Sequence, residues 1–205
     1  MTEPRIAPGT TRDLGRINGV IARVLGLGPG GAPANIFTTL ARHRGLFRRW
    51  LVFASGLMPW GRLPRADSEL LILRTARNCD CEYEWRHHER IGQAAGLSAA
   101  QIASLREPTP DPALWPSERR RLLIRAADQL HATYTIDDAL WAELTLVIPS
   151  EQELIELCML VGHYAMLAMT LNALHVQPDQ VVAGGGGSVA SRLAARVLAR
   201  GRGAA

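Results

Sequence analysis

Three ionisable side chains share one side of the segment formed by residues 81–92. If the segment is a helix with about 100° per residue, Cys81, Glu84 and His88 lie within roughly one third of the helical wheel, beside Trp85. A thiol, a carboxylate and an imidazole then face the side that should be buried. Burying ionisable groups costs free energy unless they are paired, so folding alone does not require them here. The pattern predicts a functional site on this helix.

A second carboxylate for this site comes from Glu69, twelve residues before Cys81. The break at residues 78–80 joins two helices that should lie antiparallel and side by side. Glu69 is therefore expected to meet the face that carries Glu84 and His88. Two carboxylates and an imidazole in one dry pocket suit general acid/base catalysis. Purely structural roles are the alternatives. Glu69 would then only interact favourably with the positive end of the helix dipole, and Glu84 and His88 would be a hydrogen-bonded pair at a subunit interface.

The elements that must position these residues are predicted to be helices. The chain has 205 residues, of which 47% are hydrophobic and only 5% aromatic, and this composition favours an all-α, single-domain bundle. Caps, prolines and apolar periodicity predict helices over 11–25, 33–42, 45–57, 65–78, 81–95, 98–106, 117–132, 135–147, 150–174 and 188–200. The first should bury Leu14, Ile17, Ile21, Val24 and Leu25, and Thr135 should cap the helix at 135–147.

Charge, cysteine count and hydropathy argue against several classes of protein. The net charge of +4 comes without a nucleic-acid-binding motif, so no nucleic-acid partner is expected. Three cysteines without a regular framework argue against a secreted disulfide scaffold, and no apolar signal segment follows Met1. The apolar run Leu157–Leu174 is interrupted by His163, Thr170 and Asn172, which favours a buried helix over a membrane span. We expect a cytoplasmic protein with no membrane partner.

Neither a cofactor nor a metal is predicted. The four glycines at 184–187 precede a helix but follow no β-strand, so nucleotide binding has no support. Several soft or borderline metal ligands occur, but their spacing matches no known zinc pattern. These ligands are Cys79, Cys81, His87, His88 and His163.

Several motifs together resemble a known family. They are the run Leu63–Ala76, the segment Cys81-Glu82-Tyr83-Glu84-Trp85 with His88, the early Asn35-Ile36-Phe37, and the late Val161-Gly162-His163-Tyr164 with Asn172. Through them the chain is similar to the carboxymuconolactone decarboxylase-like family, in the alkylhydroperoxidase D-like superfamily. The resemblance implies an all-helical fold that assembles into homotrimers or hexamers, with pockets near subunit contacts. We place the family domain at 33–178, an N-terminal helix and Gly/Pro linker at 1–32, and a Gly-rich linker and basic tail at 179–205.

The alkylhydroperoxidase branch of this family carries a Glu, then Cys-x-x-Cys, then a His. Its Glu, first Cys and His match Glu69, Cys81 and His88. Its second cysteine falls on Glu84, so the disulfide partner of that branch is missing here. Cys79 offers a Cys-x-Cys arrangement instead, but a disulfide between residues two apart is strained and uncommon. The decarboxylase branch resembles this chain in lacking the thiol pair.

Three hypotheses for function follow from the resemblance. As an enzyme of the decarboxylase or lyase type, the protein would use Glu69, Glu84 and His88 for proton transfer on a small acidic or lactone-like substrate. Cys81 would then be a wall of the pocket. As a thiol peroxidase with peroxiredoxin-like activity, the protein would attack peroxide with Cys81. The third hypothesis is a non-catalytic binding or assembly protein. We prefer the first, because Glu84 stands where a disulfide-cycling peroxidase needs its second thiol.

The remaining candidates would contact the substrate. Trp85, Tyr83 and His163 are the candidate substrate-binding residues, and core packing is the alternative for each. Tyr83 falls on the mostly charged side of the helical wheel. Arg74 or Arg86 could hold an acidic group of the substrate.

Overall fold

The described part of the chain is helical, as predicted. The computed structural model describes residues 3–25 and 33–179, and no β-strand occurs within them. The α-helices of these residues are α1 Thr11–Leu25, α2 Asn35–Leu40, α3 Arg44–Leu57, α4 Arg65–Asn78, α5 Glu82–Ala94, α6 Ala99–Leu105, α7 Glu118–Thr133, α8 Asp138–Val147 and α9 Glu151–Leu174. The predicted helix at 188–200 and the glycines at 184–187 lie outside the described residues.

The chain divides into two compact units. Among the described residues, the first comprises 3–25, 33–61 and 173–179, and the second comprises Arg62–Asn172. In the first unit, α1 to α3 surround a small apolar core of Leu14, Ala22, Ala41 and Phe47. The second unit holds α4 to α8 and all but the end of α9, and every candidate site residue lies in it. The predicted domain bounds of 1–32, 33–178 and 179–205 stay a prediction.

The apolar stripe predicted for α1 is correct for Leu14 and Ile21, which lie in or against the core, and wrong for Ile17, Val24 and Leu25, which are exposed. Gly15 adopts a φ of +72° inside α1, so the residues after it do not continue the helical phase set by Leu14. Ile17 and Val24, both expected to be buried, are 66% and 65% exposed. Asn18 is buried instead, and its side-chain amide donates to two backbone carbonyls.

α4 is the centre of the second unit and is enclosed along most of its length. Every residue from Asp67 to Ala76 is buried, and both α5 and α7 pack against this helix. An enclosed helix needs apolar side chains around its circumference, which the run Leu70–Leu73 provides. The same enclosure requires each polar group on α4 to find a partner in the interior.

A tight turn reverses the chain between α4 and α5. Asp80 adopts a φ of +50°, and the N–H of Cys81 donates to the carbonyl of Ala76 at 2.8 Å, which closes the end of α4. Cys81 is the N-cap of α5, and the helix itself begins one residue later than predicted, at Glu82. The turn makes α4 and α5 antiparallel neighbours, as the sequence predicted.

Side-chain caps mark the starts of several helices. Ser98 caps α6 and Ser150 caps α9, both as predicted, since each hydroxyl accepts a backbone N–H from the first turn. The cap of α8 is Asp137 and not Thr135, because α8 starts at Asp138 and the residue directly before it supplies the acceptor.

α9 is the longest helix of the described residues. By length and composition it is apolar enough to cross a membrane, with a mean hydropathy of 1.7 in its apolar window. Of that window 56% is buried inside the protein, which is typical of the core helix of a soluble protein and agrees with the prediction of a buried helix. Its large exposed apolar side chains are Ile155, Met159, Met166 and Met169. The predicted homotrimer or hexamer stays a prediction.

Arg74 has a structural role, which corrects the idea that it holds substrate. Its guanidinium is buried and forms a two-pronged ion pair with Asp128, at 2.6 and 2.9 Å. It also donates to three backbone carbonyls at 2.7 to 3.0 Å, those of Leu105, Glu107 and Pro108. These five bonds use all five N–H donors of a guanidinium, so none is left for a ligand.

Replacing Arg74 with alanine should therefore destabilise the protein by about 3 kcal/mol, because the loss of a buried ionic partner leaves buried acceptors unsatisfied. The measurement is the free energy of unfolding in urea at neutral pH. Arg86→Ala is the matched control, since Arg86 is exposed and pairs with Glu82 at the surface. An exposed ion pair is worth less than about 1 kcal/mol. Equal losses in the two variants would contradict the structural role of Arg74.

Candidate active site

The candidate active site draws on α4, α5 and α9 of the second unit. α4 contributes Arg65 and Glu69, α5 contributes Glu84 and His88, and α9 contributes Tyr164. Glu84 and His88 lie one helical turn apart on the same side of α5. The exposed fractions of Glu69, Glu84 and His88 are 0%, 2% and 7%, so the three ionisable groups are removed from bulk water.

A buried network of charges centres on Glu69. Its Oε2 lies 2.7 Å from Nδ1 of His88, and its Oε1 lies 2.8 Å from Nη2 of Arg65. The charge of Arg65 offsets the cost of burying the carboxylate. Because a carboxylate accepts, we assign the proton of the imidazole to Nδ1, and in neutral His88 the Nε2 atom then keeps its lone pair. The meeting of Glu69 and His88 predicted from the sequence is observed.

Glu84 is a buried carboxyl that lacks a nitrogen or oxygen partner. Neither of its oxygens is hydrogen-bonded to such an atom of the described residues. Burial raises the pKa of Glu84 to about 8, and the neighbouring thiol of Cys81 offsets part of this rise. The carboxyl therefore holds its proton at neutral pH and is able to donate it.

Cys81 is a buried thiol at the N-terminus of α5, with an exposed fraction of 2%. Burial, and then the charge of Glu84, raise the pKa of Cys81 to about 12. The backbone N–H groups of Glu84 and Tyr83 favour the thiolate but are outweighed. At neutral pH the sulfur is protonated, and a protonated thiol is a poor nucleophile.

A shallow pocket opens beside Cys81. Its lining residues are Ala76, Arg77, Asp80, Cys81, Glu82, Trp85 and Arg106. Trp85 is 2% exposed, and Arg106 lies over its ring, 4.1 Å from the centroid. The indole N–H of Trp85 has no hydrogen-bond partner within the part of the chain that the structure describes. Unpaired buried N–H groups are rare, which makes this donor a candidate for a contact with a ligand. The substrate-binding role of Trp85 stays a prediction.

Tyr83 and His163 are buried but do not line this pocket. Tyr83 is only 6% exposed, although the helical wheel placed it on the charged side of α5. α6 packs against α5 as well, so more than one side of α5 is covered. Burial lowers the pKa of His163 to about 4, so this imidazole is neutral at physiological pH. Substrate binding by these two residues stays a prediction.

Sequence reasoning missed Arg65 and Tyr164 as site residues. Arg65 stands four residues before Glu69, a spacing that brings two side chains together on a helix and that was available as a signal. The ring of Tyr164 lies edge-on to His88, with centroids 5.1 Å apart and planes at 88°. This contact depends on the register between α5 and α9, which no local spacing encodes.

The other ligand-type residues do not form a second site. All three cysteines are free, so Cys79 and Cys81 are not joined by a disulfide. The sulfur of Cys79 lies 3.7 Å from Nδ1 of His131. Within residues 3–25 and 33–179, no group of three or more His, Cys, Asp or Glu side chains is arranged to hold a metal ion.

The raised pKa of Glu84 predicts how stability depends on pH. The folded protein keeps the Glu84 proton up to about pH 8, whereas the ordinary value for a glutamate is 4.5. Between these values the folded state binds more protons than the unfolded state, so stability that is complete below pH 4.5 is lost as the pH rises to about 8. Relative to wild type, Glu84→Gln should gain a few kcal/mol of unfolding free energy between about pH 5 and pH 8, because it has no proton to lose.

Urea unfolding at a series of pH values measures this difference. Glu82→Gln is the control, because Glu82 is exposed and its pKa is lowered, with the effect of burial outweighed by Arg86 and Arg106. The difference between this control and wild type should stay flat above about pH 5. If the difference in unfolding free energy between Glu84→Gln and wild type did not change with pH over this range, Glu84 would be ionised in the folded protein.

Comparisons with known proteins agree with the fold. Residues 44–128 match the model of the carboxymuconolactone decarboxylase family. No curated protein matches the chain. The structure is similar to an uncharacterized peroxidase-related protein from Silicibacter sp. TM1040, with a TM-score of 0.73 at 14% identity, covering 90% of this chain and 98% of that one.

Two other similar structures extend the comparison. The alkylhydroperoxidase AhpD core of Ralstonia eutropha JMP134, an uncharacterized peroxidase-related protein, has a TM-score of 0.75 at 16% identity, covering 88% of this chain and 94% of that one. The debrominase Bmp8, with a cysteine replaced by alanine and 2,3,4-tribromopyrrole bound, has a TM-score of 0.70 at 14% identity, covering 94% and 96%. At these identities the likeness establishes the fold. The residues that match the model of the carboxymuconolactone decarboxylase family include Glu69, Glu84 and His88, so this part of the chain is similar to that family.

Proposed function

We propose that the protein is an enzyme of the decarboxylase or lyase type, which performs general acid/base chemistry on a small acidic or lactone-like substrate. The observation that carries the proposal is the protonated carboxyl of Glu84, buried without a nitrogen or oxygen partner and with its pKa raised to about 8. Folding gains nothing from such a group, because an apolar side chain would fill the space without the cost of desolvation. A general acid works best with a pKa near the working pH.

His88 and Glu69 supply the second half of the proposed chemistry. Glu69 holds the proton of His88 on Nδ1, so Nε2 is the atom that accepts a proton from the substrate. His88 would take the proton of the substrate's carboxyl group, the carboxylate would leave as carbon dioxide with its bonding electron pair left on the carbon, and Glu84 would protonate that carbon. Return of the proton from His88 to Glu84 would restore both groups. Glu84 is the protonated carboxyl and would act as the acid, whereas Glu69 is the carboxylate that orients His88, the base. Their different surroundings thus give the two glutamates different roles.

The pocket beside Cys81 is the proposed position of the acidic group of the substrate. Its rim carries the guanidinium groups of Arg77 and Arg106, and Trp85 offers the unpaired N–H. Arg106 also pairs with Glu82 at 3.2 Å, which balances part of the positive charge. Cationic and N–H donors recognise carboxylates and polarised carbonyls. On this proposal Trp85 binds substrate and Cys81 only forms a wall.

Carbon dioxide release from carboxymuconolactone tests the proposal. Glu84→Gln and His88→Ala should each lower kcat by about 100-fold or more, because each removes a group that transfers a proton. Cys81→Ser should stay within about threefold of wild type, since a wall residue of similar size makes no bond to the substrate. Glu118→Gln is the matched control, because Glu118 is exposed and does not line the pocket. Turnover that survives Glu84→Gln and is lost in Cys81→Ser would overturn the proposal.

A thiol peroxidase is the second candidate, because Cys81 lines the pocket whereas Glu84 and His88 do not. A peroxide in the pocket would meet the sulfur first. Two neighbours in fold are described as peroxidase-related, and the debrominase was crystallised with a cysteine replaced. Against this candidate, the pKa of Cys81 is raised to about 12 and no second thiol stands at position 84. An external thiol would have to reduce the oxidised cysteine.

Consumption of cumene hydroperoxide with dithiothreitol as reductant separates the two candidates. We expect wild type to consume peroxide at neutral pH no faster than Cys81→Ser, because the protonated sulfur does not attack. If Cys81 does react, its rate should rise about tenfold per pH unit, as the thiolate fraction does below the pKa. Rapid consumption at neutral pH that disappears in Cys81→Ser, and not in Cys79→Ser, would establish the peroxidase instead.

The third hypothesis is a non-catalytic binding or assembly protein on the same scaffold. It would stand if ligand binding survived every one of these changes and no turnover occurred. We also propose that the protein self-associates as a homotrimer or hexamer and acts in the cytoplasm, a reducing compartment that suits three free cysteines. Neither a nucleic acid nor a membrane is proposed as a partner.

A further inference from the structure

Tyr164 lies against the imidazole that the proposed chemistry uses. Its side chain is 8% exposed, and its ring meets that of His88 nearly at a right angle, with centroids 5.1 Å apart. At the preceding position of α5, the ring of His87 also meets His88 edge-on, with planes at 70° and centroids 5.3 Å apart. The imidazole of His88 is thus bounded by two rings as well as by Glu69.

We propose that Tyr164 is a positioning residue, whose ring holds the imidazole of His88 with Nδ1 on Glu69 and Nε2 directed to the substrate. The inference rests on the proposed acid/base function. A histidine ring rotates in a broad, roughly two-fold torsional profile, so a single hydrogen bond leaves its orientation loosely defined. A perpendicular aromatic neighbour restricts rotation of the imidazole out of the plane in which Nδ1 reaches Glu69. The bond to Glu69 then selects between the two orientations in that plane, because in the flipped one Cδ2 takes the place of Nδ1.

The phenol of Tyr164 is a neutral group beside this cluster. Burial, and then the charges of Glu69 and Glu84, raise its pKa well above the ordinary value, while Arg65 acts in the opposite direction. The hydroxyl is therefore protonated at any pH at which the protein is studied. Tyr164 takes no part in proton transfer, and its effect on His88 comes from the ring. This distinguishes a positioning residue from a catalytic one.

Two substitutions distinguish the effect of the Tyr164 ring from that of its hydroxyl. Tyr164→Phe keeps the ring, and Tyr164→Leu removes it. Tyr134→Leu is the control, because Tyr134 is 86% exposed. Nitrogen-15 NMR of the imidazoles reports which nitrogen of His88 carries the proton, with His88→Gln used to assign its signals. Wild type, Tyr164→Phe and Tyr134→Leu should show one tautomer with the proton on Nδ1, and Tyr164→Leu should show a mixture of both.

Activity on carboxymuconolactone gives the second readout. Tyr164→Leu should lower kcat by about tenfold with KM little changed, because misplacement of a catalytic group affects the chemical step more than binding. Tyr164→Phe should match wild type. If Tyr164→Leu does not fold, as judged by its circular dichroism, Tyr164→Met replaces it, since methionine fills irregular space without an aromatic edge.

A single Nδ1 tautomer in the variants without the ring would overturn the proposal, as would a Tyr164→Phe variant with the defect of Tyr164→Leu. The tautomer is measured in the resting protein without substrate, so it does not depend on turnover. If carboxymuconolactone is not decarboxylated by any form of the protein while the tautomer responds as expected, the acid/base function fails and the positioning of His88 stands.

Discussion

A carboxylate with no exposed surface is the constraint on which this site depends. Glu69 is fully buried, and an unpaired charge at that depth would cost several kcal/mol. Arg65 supplies a counter-charge one turn earlier on the same helix, and His88 supplies an N–H from the next helix. The second contact is directional, so it fixes the register of α5 on α4 more narrowly than apolar packing would.

The same constraint acts along the rest of α4 and explains why only one of its charges is suited to chemistry. Asp67 is paired with Arg119 at 2.7 Å and with Arg120 at 3.1 Å. Each oxygen of Asp67 thus accepts from one guanidinium. All N–H donors of the Arg74 guanidinium are hydrogen-bonded to Asp128 or to backbone carbonyls. In the pair of Glu69 and His88, by contrast, Nε2 of the imidazole keeps a lone pair that Glu69 does not use.

Local spacing predicted much of this architecture, and the exceptions have identifiable causes. The antiparallel meeting of Glu69 and His88 follows from the break at residues 78–80. The stripe predicted for α1 is wrong in part because Gly15 breaks the helical phase. Tyr83 was misplaced because a helical wheel does not show that α5 packs against both α4 and α6. Tyr164 was missed because its contact with His88 joins residues far apart in the sequence, in helices whose register a periodic pattern does not encode.

Position 84 holds a carboxyl in this chain, whereas the alkylhydroperoxidase branch that the chain resembles has a thiol there. This difference bears on the chemistry that the resting site can support. Glu84 and Cys81 are neighbours in a region of low polarity, so ionising one raises the free energy of ionising the other. At neutral pH both keep their protons. A disulfide cycle needs a thiolate to begin and a second thiol to finish, and this pair provides neither. On the proposed function, the protonated carboxyl of Glu84 and the imidazole of His88 supply an acid and a base without any thiol.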